Sequence, residues 1–249
     1  MTAEVLKSYA DGVCELRLNR AGKRNAITFA MYQALGSALA EAQSDAGVRA
    51  VLLGGEGPNF CAGNDLNDFV SGPEFSDAHP VMRLLRTLAT FEKPLLAAVH
   101  GSTVGIGVTM LLHCDLVVAA PSAQLSMPFV ALGLVPEAGS SLLLPRLTGQ
   151  QRAAELLYLG APIDAKRALE LGLVNRLVEE AALAPQARAL ARTVAAQPEQ
   201  ALRATKRLLR GDVAEVLARI EAEARIFGAL LRSDEFRARV RAALAKARA

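Results

Sequence analysis

The sequence predicts an α/β fold that gives way to an all-helical second half. Three observations carry this. Through about residue 119, short apolar runs of strand length alternate with segments whose apolar residues recur at helical spacing, as in strand–helix–strand units on a parallel sheet. From Ser140 onward nearly every segment is helical and amphipathic. The 249 residues are 52% apolar, enough for one sizeable core.

Residues 5–9 and 13–18 are apolar runs on either side of Asp11-Gly12, a hairpin dipeptide. Thr28 is placed to cap a helix over 29–43, in which Phe29, Tyr32, Leu35 and Leu39 share one face. A buried strand over 49–53 ends in the turn-rich run Gly54-Gly55-Glu56-Gly57-Pro58. The unit then repeats more loosely. A helix over 78–91 leads through Pro94 to a strand over 95–99, a glycine-rich turn from Gly101 to Gly107, a short helix over 108–113 and a strand over 115–119. Beyond Ser140, Thr148-Gly149 precedes one helix, Asp164 caps another, and a short strand spans 173–177. Helices over 181–196, 198–210 and 213–231 set leucine and alanine on one side and arginine on the other. No fixed-period repeat or low-complexity linker interrupts them.

Charge excludes little and favours nothing exotic. Lys and Arg number 28 against 25 Asp and Glu, so composition gives no case for nucleic acid. The basic excess gathers at Arg203, Lys206, Arg207 and Arg210, which reads first as a solvated helix face and second as an anion site. Cys14, Cys61 and Cys114 are far apart and odd in number, pointing to a reducing, cytoplasmic setting rather than a disulfide framework or zinc site. The start of the chain lacks the pattern of a signal peptide, and the apolar runs are too short to span a bilayer.

Two segments could carry chemistry. In Phe60-Cys61-Ala62-Gly63-Asn64-Asp65-Leu66, after a strand and a turn, Gly63 permits a backbone that exposes the next amide, and a pair of such amides stabilises an oxyanion. In the turn from Gly101 to Gly107, helix-start amides attract developing negative charge. Taken alone, the first reads rather as an ordinary loop after a strand, and the second has glycines packing a helix against a strand as its alternative. Neither is a dinucleotide fingerprint or a nucleophile elbow.

Together they are far more specific. The first segment, then Lys93-Pro94 through Gly101, the glycine turn, and Cys114-Asp115 through Ala120 closely resemble the signature of the crotonase (enoyl-CoA hydratase/isomerase) superfamily. Asn19-Arg20 with 23–26, the run 132–141, 144–147, 165–174 and 198–208 also fit, in the correct order along almost the whole chain. The resemblance implies a crotonase-like spiral of repeated ββα units with a helical C-terminal region, here 1–195 for the spiral core and 196–249 for an oligomerisation or lid region. It implies a place in fatty acid metabolism, an acyl-CoA thioester substrate, no cofactor beyond that CoA, no metal, and a homotrimer or dimer of trimers. It places the oxyanion amides at Asn64 and Ile106, and CoA against Lys23, Arg24, Ala26, Ala62, Asp65 and Leu66.

The departures narrow the reaction. Hydratases of the family carry two glutamates where this chain has Thr109 and Phe129, and neither residue can deprotonate water or protonate a carbon. One acid remains, Glu137, in a segment resembling that of Δ3,Δ2-enoyl-CoA isomerases, where a glutamate is the base. Catalysis is thus expected from Glu137 with the Asn64 and Ile106 amides. Local context allows a plainer reading, since Pro136-Glu137 just before a helix is a common exposed start. Asp65 reads as a loop-fixing carboxylate and Asp115 as structural. Other crotonase chemistry (hydration, dehalogenation, thioester hydrolysis) and a non-catalytic acyl-CoA-binding homologue stay open.

Overall fold

A computed structural model describes residues 3–71, 76 and 78–246, so the last three residues of the expected helical region, 247–249, lie outside the described ones. The elements run β1 (Val5–Ala10), β2 (Val13–Leu18), α1 (Phe29–Ser44), β3 (Ala50–Gly55), α2 (Leu66–Ser71), α3 (Pro80–Thr90), β4 (Leu95–Val99), β5 (Ser102–Val104), α4 (Ile106–Thr109), β6 (Leu116–Ala119) and β7 (Gln124–Ser126). They continue with α5 (Ser140–Thr148), α6 (Gln150–Leu159), β8 (Ile163–Asp164), α7 (Ala165–Glu170), β9 (Arg176–Leu177), α8 (Leu183–Ala195), α9 (Glu199–Arg210), α10 (Val213–Leu231) and α11 (Asp234–Lys246).

The larger sheet has the order β1-β2-β3-β4-β6-β9, parallel except for the β1–β2 hairpin. Its central strands are buried on both faces, which is why they read as continuous apolar runs. Val51, Leu53, Leu95, Ala97 and Val99 face the main core. The alternate residues Ala50, Leu52, Leu96 and Ala98 face α8 through Leu183, Ala187, Ala191 and Ala195. A second, smaller layer runs beside the first. Ile27 bridges Asn64, Cys61 bridges Thr103, and β5 continues to β7 and β8. Each pass of the chain therefore adds one strand to the large sheet and one short stretch to the small layer before turning into a helix, which is the spiral that the repeated units predict. Among the described residues no helix is long and apolar enough to cross a membrane.

Several boundaries differ from the expectation for local reasons. The helix expected over 78–91 starts at Pro80, because His79 is its N-cap and accepts from Val81 N–H. The strand expected over 173–177 shrinks to Arg176–Leu177. The glycine turn holds a three-residue strand, β5, too short to show a period.

The basic run on α9 is a solvated face only in part. Lys206 is buried and donates to Lys93 O and, at 2.7 Å, to Asp115 Oδ2, which also accepts Leu95 N–H at 2.7 Å. Arg210 donates to Phe91 O at 2.8 Å and His113 O at 3.0 Å, satisfying carbonyls left over at the end of α3 and of the 3-10 turn Met110–His113 that follows α4. Leu208 and Leu209 point the other way, 84% and 82% exposed. Lys206 and Arg210 thus face inward because the backbone carbonyls and Asp115 need donors there, while Arg207 is exposed. Replacing Lys206 by Ala should cost about 2–3 kcal/mol, the range for losing a hydrogen-bonding charge opposite a buried partner. Urea unfolding of that variant measures it, and a loss below about 0.5 kcal/mol would assign Lys206 to the surface class of substitutions.

Candidate active site

The two motif loops meet in the small layer. Cys61 N–H donates to Ser102 O at 3.1 Å and Val104 N–H to Cys61 O at 2.8 Å. Both contacts demand glycine nearby. Gly63 has φ +91° and its backbone lies so close to Val104 that an added Cβ would sit 3.1 Å from that carbonyl oxygen. A Cβ on Gly107 would meet Cys61 Cβ and O at 2.9 Å. On the other side Ile27 N–H donates to Gly63 O and Asp65 N–H to Ile27 O, so the Asn64 amide is turned away from Ile27. Ile106 opens α4 behind Gly105, at a helix start where amides have no intrahelical acceptor. Among the described residues neither the Asn64 nor the Ile106 amide meets an acceptor within the chain.

Glu137 lies across a small cavity from this loop. The cavity is walled by Val81, Met82 and Leu85 of α3 and by Ile220, Ala224 and Phe227 of α10, with Asn64 and Glu137 as its polar members. Glu137 is only 5% exposed, so the exposed-helix-start reading does not hold. It sits three residues before α5, in a turn whose Ala138 and Gly139 are both left-handed, at φ +63° and +70°. Its carboxyl accepts from Thr109 Oγ1 at 2.6 Å. Burial pushes that carboxyl up to about 8, with the nearby Glu223 charge adding to the rise and the Thr109 hydroxyl opposing it.

Sequence reasoning missed the partners. Thr109 stands where hydratases carry an acid, and that position was the one available signal for its bond to Glu137. Tyr32 of α1, fully buried, donates to Asn64 Oδ1 at 2.5 Å and orients that side chain. Phe129 packs its ring 3.9 Å from where a Cβ on Gly105 would lie, beneath the turn that presents Ile106. Glu223, from α10, accepts from Gly139 and Ser141.

The residues expected around CoA gather on two hydrogen-bonded loops. Ala62 N–H donates to Arg24 O at 2.9 Å, and Arg20 bonds both Ala26 O, at 3.1 Å, and Asp65 Oδ2, at 2.8 Å. Burial acts to raise the Asp65 carboxyl, but Arg20 and the Asn67 donors outweigh it and hold it below its ordinary value. Asp65 therefore fixes the loop. Leu66 opens α2 and packs on the core. Lys23 and Arg24 are exposed, Arg24 in the left-handed region at φ +51°. Buried Asn25 ties the loop down through Glu56 O and Asn59 O.

The sequence profile of the family described as enoyl-CoA hydratase/isomerase matches residues 8–247. The 1,2-epoxyphenylacetyl-CoA isomerase of Escherichia coli (strain K12) is 36% identical over 250 residues, covering 97% of this chain and 95% of that one. A 4-chlorobenzoyl coenzyme A dehalogenase of an Arthrobacter species is 37% identical over 198 residues, covering 76% and 71%. The crystal structure of an enoyl-CoA hydratase/isomerase from Pseudoalteromonas atlantica superposes with a TM-score of 0.94 at 40% identity, covering 98% of both chains.

The buried carboxyl has a consequence for stability. Folding raises Glu137 from its ordinary 4.5 to about 8, so between those values the folded chain holds a proton that the unfolded chain releases. Its contribution to stability is intact below pH 4.5 and is lost as pH rises to about 8. Glu137→Gln, which never ionises, should therefore be more stable than the parent by on the order of 1–3 kcal/mol at pH 8 and by much less at pH 5. Urea unfolding at both pH values tests this; an equal difference at the two would refute a buried titrating Glu137.

Proposed function

The chain belongs to the enoyl-CoA hydratase/isomerase family, and on that premise we propose that it shifts the double bond of a 3-enoyl-CoA to the 2-position with Glu137 as the single proton carrier. The observation that carries this is one buried acid, poised near 8, in an apolar cavity that it shares with Asn64. A base with a pKa near the working pH combines adequate ionisation with the strength to remove a proton beside a thioester carbonyl.

The steps follow from the residues. Glu137, ionised, takes a proton from C2 of the 3-enoyl thioester, and the electrons delocalise into a dienolate whose negative oxygen lies between the Asn64 and Ile106 amides. The C2–C3 double bond then forms as C4 takes the proton back from Glu137. Thr109 holds carboxyl Oε1 through the cycle, leaving Oε2 to carry the proton. A one-acid shuttle suits a cavity where Thr109 and Phe129 occupy the two hydratase positions. CoA rests on the loops of Lys23, Arg24, Ala26, Ala62, Asp65 and Leu66, mostly through backbone groups. Support for a CoA thioester comes also from the two relatives above, named for epoxyphenylacetyl-CoA and chlorobenzoyl-CoA.

Glu137→Gln should lower isomerisation of 3-enoyl-CoA by at least about 100-fold while acyl-CoA binding survives, because the thioester contacts lie on other residues. In the parent, kcat/KM should rise with pH to a plateau above about 8, as Glu137 loses its proton. Turnover of the variant near the parental rate removes Glu137 as base and makes Asp65 the next acid to test. Water incorporation into product would point to hydration instead.

The same family reading supports a homotrimer or a dimer of trimers. Its physical support is the apolar surface left by Tyr158, Leu159, Leu208 and Leu209, all exposed in the single chain. Light scattering should report the trimer or its multiple, and Leu208→Glu with Leu209→Glu should shift it towards monomer. A monomeric parent at micromolar concentration overturns the assembly.

A further inference from the structure

The turn carrying Glu137 is of a kind that keeps one shape only when its surroundings impose it. Ala138 and Gly139 are consecutive left-handed residues, at φ +63° and +70°, and the first has a Cβ that disfavours this region. His113 Nε2–H donates to Ala138 O at 2.8 Å, and Ser140 Oγ–H donates back to Glu137 O at 2.6 Å. The third support comes from far along the chain. Glu223, midway along α10, accepts Gly139 N–H at 2.6 Å with Oε2, and Ser141 N–H at 2.9 Å and Ser141 Oγ–H at 2.5 Å with Oε1. Burial pushes the Glu223 carboxyl up, and the Ser141 and Gly139 donors and the Arg219 charge oppose that rise; a side chain that only accepts, at both oxygens, suits the ionised form. Its helix neighbours Ile220 and Ala224 form part of the cavity wall, so one helix both shapes the cavity and grips the turn.

Resting on the reading of Glu137 as base, we propose that Glu223 is a positioning residue, whose two oxygens lock the Glu137 turn and whose charge strengthens Glu137 as a proton acceptor. The groups facing Glu137 are the Thr109 hydroxyl from α4, the Tyr32 phenol from α1, the Cys61 thiol from the first motif loop and Glu223 from α10. His113, which holds the turn's carbonyl, is pushed down to about 4 by burial and so is neutral near pH 7. Among the described residues Glu223 is the one carboxylate acting on Glu137. Glu223 in turn faces Arg219, whose Nη1 donates to Ser141 Oγ at 3.2 Å.

Two variants of the full chain separate the two parts of this role. Glu223→Gln keeps the shape and removes the charge; Glu223→Asp keeps the charge and shortens the reach. Carbon-13 NMR of glutamate carboxyls, with the Glu137 signal assigned by its absence from Glu137→Gln, reads the Glu137 titration without turnover. In Glu223→Gln the Glu137 midpoint and the acid limb of kcat/KM should both move to lower pH, with kcat down about 10- to 100-fold, the scale of a misplaced reacting group. In Glu223→Asp kcat should fall while the midpoint stays. Affinity for hexanoyl-CoA should hold within about twofold in both, as expected when ground-state contacts are intact. An unchanged Glu137 midpoint together with an unchanged kcat in Glu223→Gln overturns the proposal. If that variant fails to fold by near-UV circular dichroism, unchanged kcat in Glu223→Asp overturns it instead. A parent that does not turn over any 3-enoyl-CoA sinks the isomerase reading, and the NMR midpoint then decides by itself whether Glu223 acts on Glu137.

Discussion

The hydrogen bond from Thr109 to Glu137 joins two parts of the chain that the spiral winds together. A carboxyl taken out of water loses its solvation and keeps its negative charge only against a steep penalty. With one hydroxyl donor and an apolar wall around it, the group resolves this by holding its proton well above the usual carboxylate range. Everything around it serves that compromise. The walls from α3 and α10 exclude water, the strained turn aims the side chain inward, and Thr109 keeps one oxygen satisfied. The neighbouring buried carboxylate, Glu223, meets the same penalty differently, with donors from Gly139 and Ser141 on both oxygens.

The spiral supplies the other half of the geometry. Because the bridges Ile27–Asn64 and Cys61–Thr103 are parallel, the two loops advance side by side, and the register sets Gly63 against Val104, two residues before α4. The small layer is thus less a sheet than a clamp on two backbones. Its tolerance is set by Gly63 and Gly107, where a methyl group would strike the facing chain. Side-chain identity at Asn64 and Ile106 matters less to amide placement than the glycines beside them do.

Much of this was legible in the chain. The buried strands of the large sheet, the Thr28 and Asp164 caps and the two motif loops all announce themselves through local pattern. The remainder was hidden for physical reasons. Strands of two or three residues such as β5, β7 and β8 show no period. Lys206 reads as surface because lysine nearly always is, and its burial depends on Asp115, 91 residues away. Glu223 lies among alternating charged and alanine residues of a helix, a setting that signals solvent; only the turn at Gly139, 84 residues earlier, makes it a buried acceptor. Glu137 itself carries the signature of an exposed helix start, and the family pattern over the whole chain, rather than its neighbours, singled it out.

The grip of α9 and α10 on earlier parts of the chain has a bearing on synthesis. The donors that satisfy Asp115 and the carbonyls of Phe91 and His113 belong to Lys206 and Arg210, and the wall and clamp around Glu137 belong to residues 220–227. A polypeptide still threading through the ribosome, with those helices unmade, leaves Glu137 in water at an ordinary carboxylate's acidity. The raised carboxyl of Glu137 comes into being only once α9 and α10 have been made and packed, and a chain that stops short of them carries the motif loops beside an ordinary acid.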